Sequence, residues 1–246
     1  MRCFVAVLFL VACGQPVPFP RKPLPELVAV APPTLALAVT SLQLVPGESL
    51  LWSVHWKGLT VGRAELAVTE QAVRSRFKTD ALASTVVSIE YELDTVLDRT
   101  AARAASAVEK LVINGETTEV AETFDGAGYA VDGRSVALPG GKSGHTLHSA
   151  LGALRAWAAP DARPGFLTVV HAGQPYRLDA SQPVAEELQG TETLRVACRV
   201  LPADKQLTPF AVTLWLTADP KRTPVRIEIT SAETKITAEL VDTAAS

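Results

Sequence analysis

The sequence predicts a mainly β protein, with a curved antiparallel sheet or partly closed β-barrel of about ten strands and one central α-helix packed on it. After Gly47, apolar and polar residues alternate in successive runs, which is the pattern of half-buried strands. Asn114-Gly115 and Asp132-Gly133 each separate two such runs, as tight hairpin turns do. A single stretch, "HTLHSALGALRAW", has helical spacing instead. A sheet of this length must curl to protect its edges, and the helix covers its concave side.

Residues 1–12 have the pattern of an export signal. Met1 and Arg2 give a positive start, and the apolar run that follows is too short for a membrane-spanning helix, which needs about 20 residues. The segment ends in Leu10-Val11-Ala12-Cys13, which resembles the bacterial lipobox. The resemblance implies removal of residues 1–12 and attachment of a diacylglycerol to Cys13. The alternative is an ordinary secretory signal that ends by chance at a cysteine.

Residues 13–46 are expected to form the lipidated cysteine and a linker. Eight of the chain's 17 prolines lie in this part of the chain, and proline excludes both helix and central strand. The apolar patch from Leu35 to Val45 either docks on the domain or forms its first strand. Residues 47–246 are then the β-rich domain.

The strands of this domain follow in order along the chain. In "LLWSVHW" the residues Leu50, Trp52, Val54 and Trp56 share one face, and His55 lies on the other. The run "RAELAV" continues the alternation, as do residues 82–97, whereas "AARAASAVEK" has helical propensity. After the helix the strand pattern returns in "FLTVVHAG", "PYRLDA", "ETLRVACRVL", "FAVTLWLTA", "PVRIEIT" and "KITAELVD".

The helix is expected to begin near Ser143, which can cap it, and to end before Pro160. Its apolar stripe contains Leu147, Ala150, Leu151, Leu154 and Trp157. Such a stripe must be buried against the sheet.

Three segments together resemble the domain of unknown function 3108 family. They are Gly47 to Val68 with its Gly-Glu start, the helix "HTLHSALGALRAW", and Leu214 to Ile229 with its acidic turn before Pro-Val. The resemblance implies an exported, β-rich bacterial envelope protein. The family has no assigned catalytic residues, so the resemblance implies no functional residue in this chain.

Composition narrows the possible partners. The net charge is −3 and no Lys/Arg run is interleaved with aromatics, which argues against nucleic acid. After loss of residues 1–12 and acylation of Cys13, Cys198 is the one remaining thiol, and it is expected to be buried and inert. Gly14, rather than an acidic residue, follows Cys13, which favours an outer-membrane location facing the periplasm in a Gram-negative host.

Several polar residues are candidate sites. His145 and His148 have a metal-compatible spacing, but no third ligand is evident, so a solvated His145 and a packed or surface His148 are the favoured interpretation. His55 and His171 each suit a general base or an ordinary hydrogen-bonded histidine. Ser143 in "GGKSGH" misses the nucleophile-elbow spacing, and the sequence also misses the phosphate-loop register. No catalytic residue, metal or cofactor is therefore predicted.

The turn "ADPKRTP" presents Lys221 and Arg222, which suit either a solvated hairpin tip or contact with anionic headgroups. The aromatic residues offer a more specific candidate, an apolar pocket between the helix and the sheet. Its predicted ligand-binding residues are Trp52, Trp56, Leu151, Trp157 and Trp215, with core packing as the alternative.

The resulting prediction is a non-catalytic, lipid-anchored envelope protein that binds an apolar ligand in a β-sheet cavity. The alternative is an assembly module that acts through protein–protein contacts, and a hydrolase is a third possibility. The expected partners are the membrane, through the lipid anchor, and an apolar small molecule or an envelope protein.

Overall fold

The computed structural model describes residues 33–138, 144–204 and 206–245. The signal peptide 1–12, the lipidation site Cys13, the linker up to residue 32 and the cap candidate Ser143 lie outside the described residues. Predictions for those positions therefore stay predictions.

The described chain forms sixteen strands, one 3-10 turn and one α-helix. The strands are β1 (Glu48–Trp56), β2 (Leu59–Val68), β3 (Ala72–Thr79), β4 (Ile89–Asp98), β5 (Arg103–Ile113), β6 (Glu116–Phe124), β7 (Gly128–Val131), β8 (Arg134–Ala137), β9 (Gly144–His145), β10 (Gly165–His171), β11 (Gln174–Ala180), β12 (Val184–Leu188), β13 (Thr191–Pro202), β14 (Phe210–Thr217), β15 (Pro224–Thr230) and β16 (Lys235–Ala245). The helix α1 spans Leu147–Trp157, and the 3-10 turn spans Ala83–Thr85.

The mainly β class with one helix is confirmed, but the expected number of strands was too low. The strands that the alternation did not reveal include two short ones: β9 has two residues and β12 has five. Alternation over so few residues cannot be distinguished from a loop in the sequence.

All sixteen strands belong to one curved sheet. The order is β8-β7-β6-β5-β4-β3-β2-β1-β16-β15-β14-β13-β11-β10-β9, and β12 pairs with β13 beside this path. The last strand, β16, pairs with the first, β1, so the two ends of the domain meet in the middle of the sheet. Neighbours are antiparallel except for the parallel pair β9 and β10. Among the described strands, no backbone pairing joins β8 to β9, so the sheet is curved but not closed.

The predicted hairpins are confirmed at both turns. Asn114 and Gly115 have φ angles of 50° and 89°, and Asp132 and Gly133 have 48° and 78°. Positive φ at both central positions is what a two-residue hairpin requires, and Asn, Asp and Gly tolerate it best. The stretch "AARAASAVEK" forms most of β5 despite its helical propensity, because β4 and β6 pair with it on both sides.

The helix lies where it was expected, but its cap is Thr146. The Thr146 side chain accepts a hydrogen bond from the Ser149 backbone N–H at 3.2 Å, and the Ser149 hydroxyl accepts one from the Thr146 N–H at 3.0 Å. This reciprocal arrangement is a capping box with serine in the usual Glu/Gln position. Within the described residues, no helix has the length and hydropathy of a membrane span.

The segment that precedes β1 packs on the domain. Leu44 is only 2% exposed and lies against Gly152 of α1, and the Gln43 N–H donates to the Gly152 carbonyl at 3.0 Å. Leu37 is also buried, and its N–H donates to the Phe166 carbonyl at 2.9 Å. Of the two alternatives for the apolar patch from Leu35 to Val45, docking is the one observed, and the packed body begins ahead of Gly47.

Candidate apolar cavity and its polar wall

A cavity of about 300 Å³ lies between α1 and the concave face of the sheet. Strands from both halves of the sheet and the helix contribute its lining, which is mostly apolar; examples are Trp52, Leu154, Val169, Phe210 and Ile227. The cavity follows from the architecture, because a single eleven-residue helix cannot fill the inside of so long a curved sheet.

Two of the five residues predicted to line a pocket are at the cavity. Trp52 projects inward from β1, and Leu151 faces it from α1. The Trp52 indole N–H donates to the Pro224 carbonyl at 2.9 Å, so its polar edge is satisfied at the sheet while its ring forms part of the cavity wall.

The other three predicted residues do not line the cavity. Trp56 packs on the small core cluster around Val54 and donates to the Thr234 hydroxyl at 2.7 Å. Trp157 is half-buried against the main core. Trp215 lies on the outer face of β14, because its neighbours Leu214 and Leu216 take the inward positions.

The outward Trp215 is nevertheless buried, by polar partners. Its indole N–H donates to the Glu186 carboxylate, and the Arg226 guanidinium lies 5.6 Å from the centre of its ring. Its low exposure therefore comes from surface neighbours, and sequence patterns do not distinguish this situation from core packing.

One wall of the cavity is polar and is centred on His171, the last residue of β10. The His171 Nδ1 lies 2.8 Å from Oε2 of Glu109, an inward-facing carboxylate of β5 that is only 4% exposed. The same oxygen accepts a hydrogen bond from the Tyr91 hydroxyl at 3.2 Å, and Oε1 accepts one from the Ala172 N–H at 3.0 Å. Glu109 is thus held by contacts from three elements.

His171 and Glu109 each stabilise the charged form of the other. Burial would lower the pKa of His171, but the adjacent Glu109 carboxylate outweighs it, and the net pKa lies above the usual value. Burial would likewise raise the pKa of Glu109, but the charge of His171 together with the bonds from Ala172 and Tyr91 lowers it overall. Both shifts, together with the 2.8 Å contact, favour an imidazolium beside a carboxylate.

A second buried carboxylate, Glu122 of β6, lies beside this pair. It is 1% exposed, and its Oε1 accepts a hydrogen bond from the Gly173 N–H at 2.7 Å. Burial, and then the Glu109 charge, raise its pKa to about 7. The Tyr129 hydroxyl donates to the Gly173 carbonyl at 3.1 Å. Side chains of β5, β6 and β7 therefore hold the turn between β10 and β11, and they bridge the two halves of the open sheet.

The sequence did not single out Glu109 and Glu122. Each occupies an inward position between apolar residues of its own strand. Ala107 and Leu111 flank Glu109 in β5, and Val120 and Phe124 flank Glu122 in β6. A carboxylate on the apolar face of two paired strands is a usable signal, since charged side chains are almost never buried without a partner. The partner, His171, is too distant in the sequence to be paired with them by pattern alone.

His145 of β9 and His148 of α1 are both buried, so the expectation of a solvated His145 was wrong. Burial lowers the pKa of each to about 4. The two ring nitrogens of His148 each lie 2.9 Å from a hydroxyl, Nδ1 from Thr95 Oγ1 and Nε2 from Ser75 Oγ. These contacts leave His148 no free nitrogen for a metal. The described part of the chain contains no group of three His, Cys, Asp or Glu side chains placed to hold one.

The remaining polar candidates lie away from the cavity. His55 is on the outer face, with Nε2 3.9 Å from Glu239 Oε2 and Nδ1 3.3 Å from Thr60 Oγ1. Arg222 does not project freely to solvent as expected, because its Nε donates to the Ala158 carbonyl at the end of α1 at 3.0 Å. Lys221 is exposed. Cys198 is buried, as predicted.

Comparison with known proteins bears on the fold. No protein-family model and no curated protein matches the chain. A β-barrel-like protein of the domain of unknown function DUF1849 from Brucella abortus matches with a TM-score of 0.59 and 11% identity, over 84% of this chain and 100% of that one. The two proteins share a fold.

Two other solved structures are more distant. A DUF1089 family protein from Pseudomonas aeruginosa has a TM-score of 0.36 at 11% identity, over 69% of this chain and 90% of that one. LprF from Mycobacterium bovis has a TM-score of 0.31 at 14% identity, over 82% of this chain and 87% of that one. The resemblance to the domain of unknown function 3108 family stays a prediction.

Proposed function

We propose that this protein is a non-catalytic, lipid-anchored component of the bacterial cell envelope that binds a single apolar ligand inside its curved sheet. The observation that carries the proposal is the apolar cavity of about 300 Å³ between α1 and the sheet. Ligand sites are typically concave, mostly apolar and about 300 to 1,000 Å³ in volume, with a few polar groups on the wall. This cavity is at the small end of that range, which suits one chain or one small molecule.

The anchor part of the proposal depends on Cys13. Each buried methylene of an acyl chain contributes about 0.8 kcal/mol, so two or three chains give a durable attachment where one gives a marginal one. The proline-rich residues that follow then separate the membrane from the packed body, and Gly14 favours the outer membrane.

A non-catalytic role is supported by the chemistry of the buried histidines. The contact that most resembles a catalytic pair is Ser75 with His148, at 2.9 Å on the cavity wall. Its third partner is the Thr95 hydroxyl rather than a carboxylate, and burial lowers the pKa of His148 to about 4. A base with so low a pKa is a weak acceptor for a serine proton.

Ester hydrolysis is the second candidate, because Ser75 and His148 do lie at the cavity. Assay of the purified protein with p-nitrophenyl esters of increasing chain length separates the two functions. We expect no turnover above that of the Ser75→Ala variant. Turnover that this substitution abolishes would assign the protein to the hydrolases instead.

The cavity is tested by native mass spectrometry and lipid extraction of the purified full chain. We expect a co-purifying apolar molecule, and we expect Leu151→Trp to exclude it by filling the cavity. Ala156→Trp, on the exposed face of the same helix, is the matched control and should retain the ligand. If neither the native protein nor the Ala156→Trp control carries a co-purifying molecule, the assembly module is favoured.

The anchor is tested by metabolic labelling with a fatty acid. Label should be incorporated in the native chain and lost in the Cys13→Ser variant. A Cys13→Ser protein that is labelled like the native one would contradict the anchor without affecting the cavity.

A further inference from the structure

The polar wall of the cavity contains two adjacent hydrogen-bonding groups that point to the kind of ligand. His171 and Tyr176 both line the cavity, and their ring centroids are 6.4 Å apart. Tyr91 flanks His171 on another side, with its centroid 6.1 Å away in an edge-on arrangement. The imidazole is therefore fixed in position between two aromatic rings.

The ion pair with Glu109 determines which nitrogen of His171 is free. Nδ1 lies 2.8 Å from Glu109 as an ion-pair contact without hydrogen-bond geometry, so we assign Nε2, across the ring from Nδ1, to the cavity; the His171 side chain is 19% exposed. Within the described ranges, no hydrogen bond to Nε2 of His171 or to the Tyr176 hydroxyl is formed. Polar groups on a cavity wall that have no protein partner are where a ligand can bind with specificity.

Both groups act as donors. An imidazolium donates from both nitrogens, and a tyrosine hydroxyl donates readily to an oxygen. Burial, and then the Glu109 charge, raise the pKa of the Tyr176 hydroxyl, so it keeps its proton. Two donors on neighbouring rings match an acceptor such as a carbonyl oxygen.

The charge balance indicates a neutral acceptor. The positive charge of His171 is already balanced by Glu109, and Glu122 is a second carboxyl group within the same cluster. A ligand carboxylate would bring a further negative charge into a buried site that holds one cation, and like charges in such surroundings repel strongly. An ester carbonyl accepts the same hydrogen bonds without that cost.

We propose that the cavity selects a neutral, single-chain acyl ester whose carbonyl oxygen accepts hydrogen bonds from His171 and Tyr176, while its chain lies among the apolar side chains around Trp52 and Leu151. This inference rests on the proposed apolar-ligand function and names the ligand class of the same cavity. The small volume excludes a two-chain lipid from lying wholly inside.

The test compares three probes with the same twelve-carbon chain. Radiolabelled 1-monolauroylglycerol has the ester carbonyl, 1-dodecylglycerol replaces the ester with an ether, and laurate presents a carboxylate. Binding is measured at pH 7.5 to the purified full-length protein in nanodiscs, and empty nanodiscs give the background. We expect the ester to bind about tenfold more tightly than either of the others, since one or two hydrogen bonds are at stake.

Tyr176→Phe removes one donor and nothing else. It should weaken ester binding about five- to tenfold and leave ether binding unchanged. A thermal melt of the variant confirms that the fold is retained. His171→Gln is the second variant, and it should also reduce the preference for the ester over the ether.

The outcomes separate the inference from the proposed function. If all three probes bind equally, or if laurate binds as tightly as the ester, the apolar cavity function stands and the ester selectivity is wrong. If none binds above the empty nanodiscs, both are wrong. If Tyr176→Phe weakens ester and ether alike, the hydroxyl does not contact the carbonyl and the proposed geometry is wrong.

Discussion

Arg155 in α1 and Glu48, the first residue of β1, are joined by two hydrogen bonds of 2.7 Å, Nη1 to Oε2 and Nη2 to Oε1. Nη2 also donates to the Lys221 carbonyl in the turn between β14 and β15, at 2.9 Å. The Arg155 side chain is 0% exposed and that of Glu48 is 12% exposed. One guanidinium thus fixes the last turn of the helix to β1 and to the turn between β14 and β15. The helix held in this position covers the cavity.

Glu48→Gln should destabilise the protein by roughly 3–5 kcal/mol, because it leaves the buried Arg155 charge without its counter-ion. The measurement is the free energy of unfolding in urea. The matched control is Glu92→Gln, which breaks the exposed Arg76–Glu92 pair, whose side chains are 54% and 40% exposed; it should change stability by less than about 1 kcal/mol. Equal effects of the two substitutions would show that burial of the Arg155 pair is energetically irrelevant.

Gly152→Ala should separate α1 from the N-terminal segment. A Cβ at position 152 would lie 2.7 Å from Leu44 Cγ and 2.8 Å from its Cδ1, well inside contact distance. Overpacking of this kind typically costs about 1–3 kcal/mol. Adding Leu44→Ala should give a double variant less destabilised than the sum of the two single ones, because the clash is removed. Strict additivity in the urea melts would argue against the contact.

Glu122→Gln should change how stability depends on pH. The pKa of Glu122 is raised from 4.5 to about 7 in the folded protein, so the folded state keeps a proton that the unfolded chain loses, and stability falls as the pH rises through that window. A shift of this size corresponds to about 3 kcal/mol. The variant cannot ionise and still offers an oxygen to the Gly173 N–H.

The stability difference between the variant and the native protein should therefore grow in the variant's favour between about pH 4.5 and 7, and then level off. Taking the difference cancels, to first order, the titration of His145 and His148, whose pKa values do not depend on Glu122. Glu119→Gln on the exposed side of β6 is the control and should show no such trend. A flat difference for Glu122→Gln would mean that its pKa is not raised.

Cys198 should resist alkylation in the folded protein. Burial, and then the charge of Asp179, raise its pKa to about 12, and only the thiolate reacts. Peptide mass spectrometry after iodoacetamide treatment measures the labelling of the Cys198 peptide directly. We expect full labelling in urea and almost none in buffer, and comparable labelling in both would contradict its burial.

The sequence by itself determined the local structure well. Alternation placed Leu50, Trp52 and Val54 on the buried face of β1, and the Asn114-Gly115 turn was predicted from the φ angles that those residues permit. The helical spacing of residues 147–157 predicted the single helix and its contact with the sheet. These features depend on residues that are close in the chain, so a pattern in the sequence is enough to reveal them.

The tertiary structure decided what depends on distant pairing. A period of two shows which residues share a face, but it does not show which face is inside, and Trp215 is on the outer one. The pairing of Glu109 with His171 is a consequence of how far the sheet curves, because curvature brings β5 to the turn after β10. Curvature accumulates from the twist of every strand, so no local stretch of sequence contains it, and the polar wall of the cavity became visible only in the folded chain.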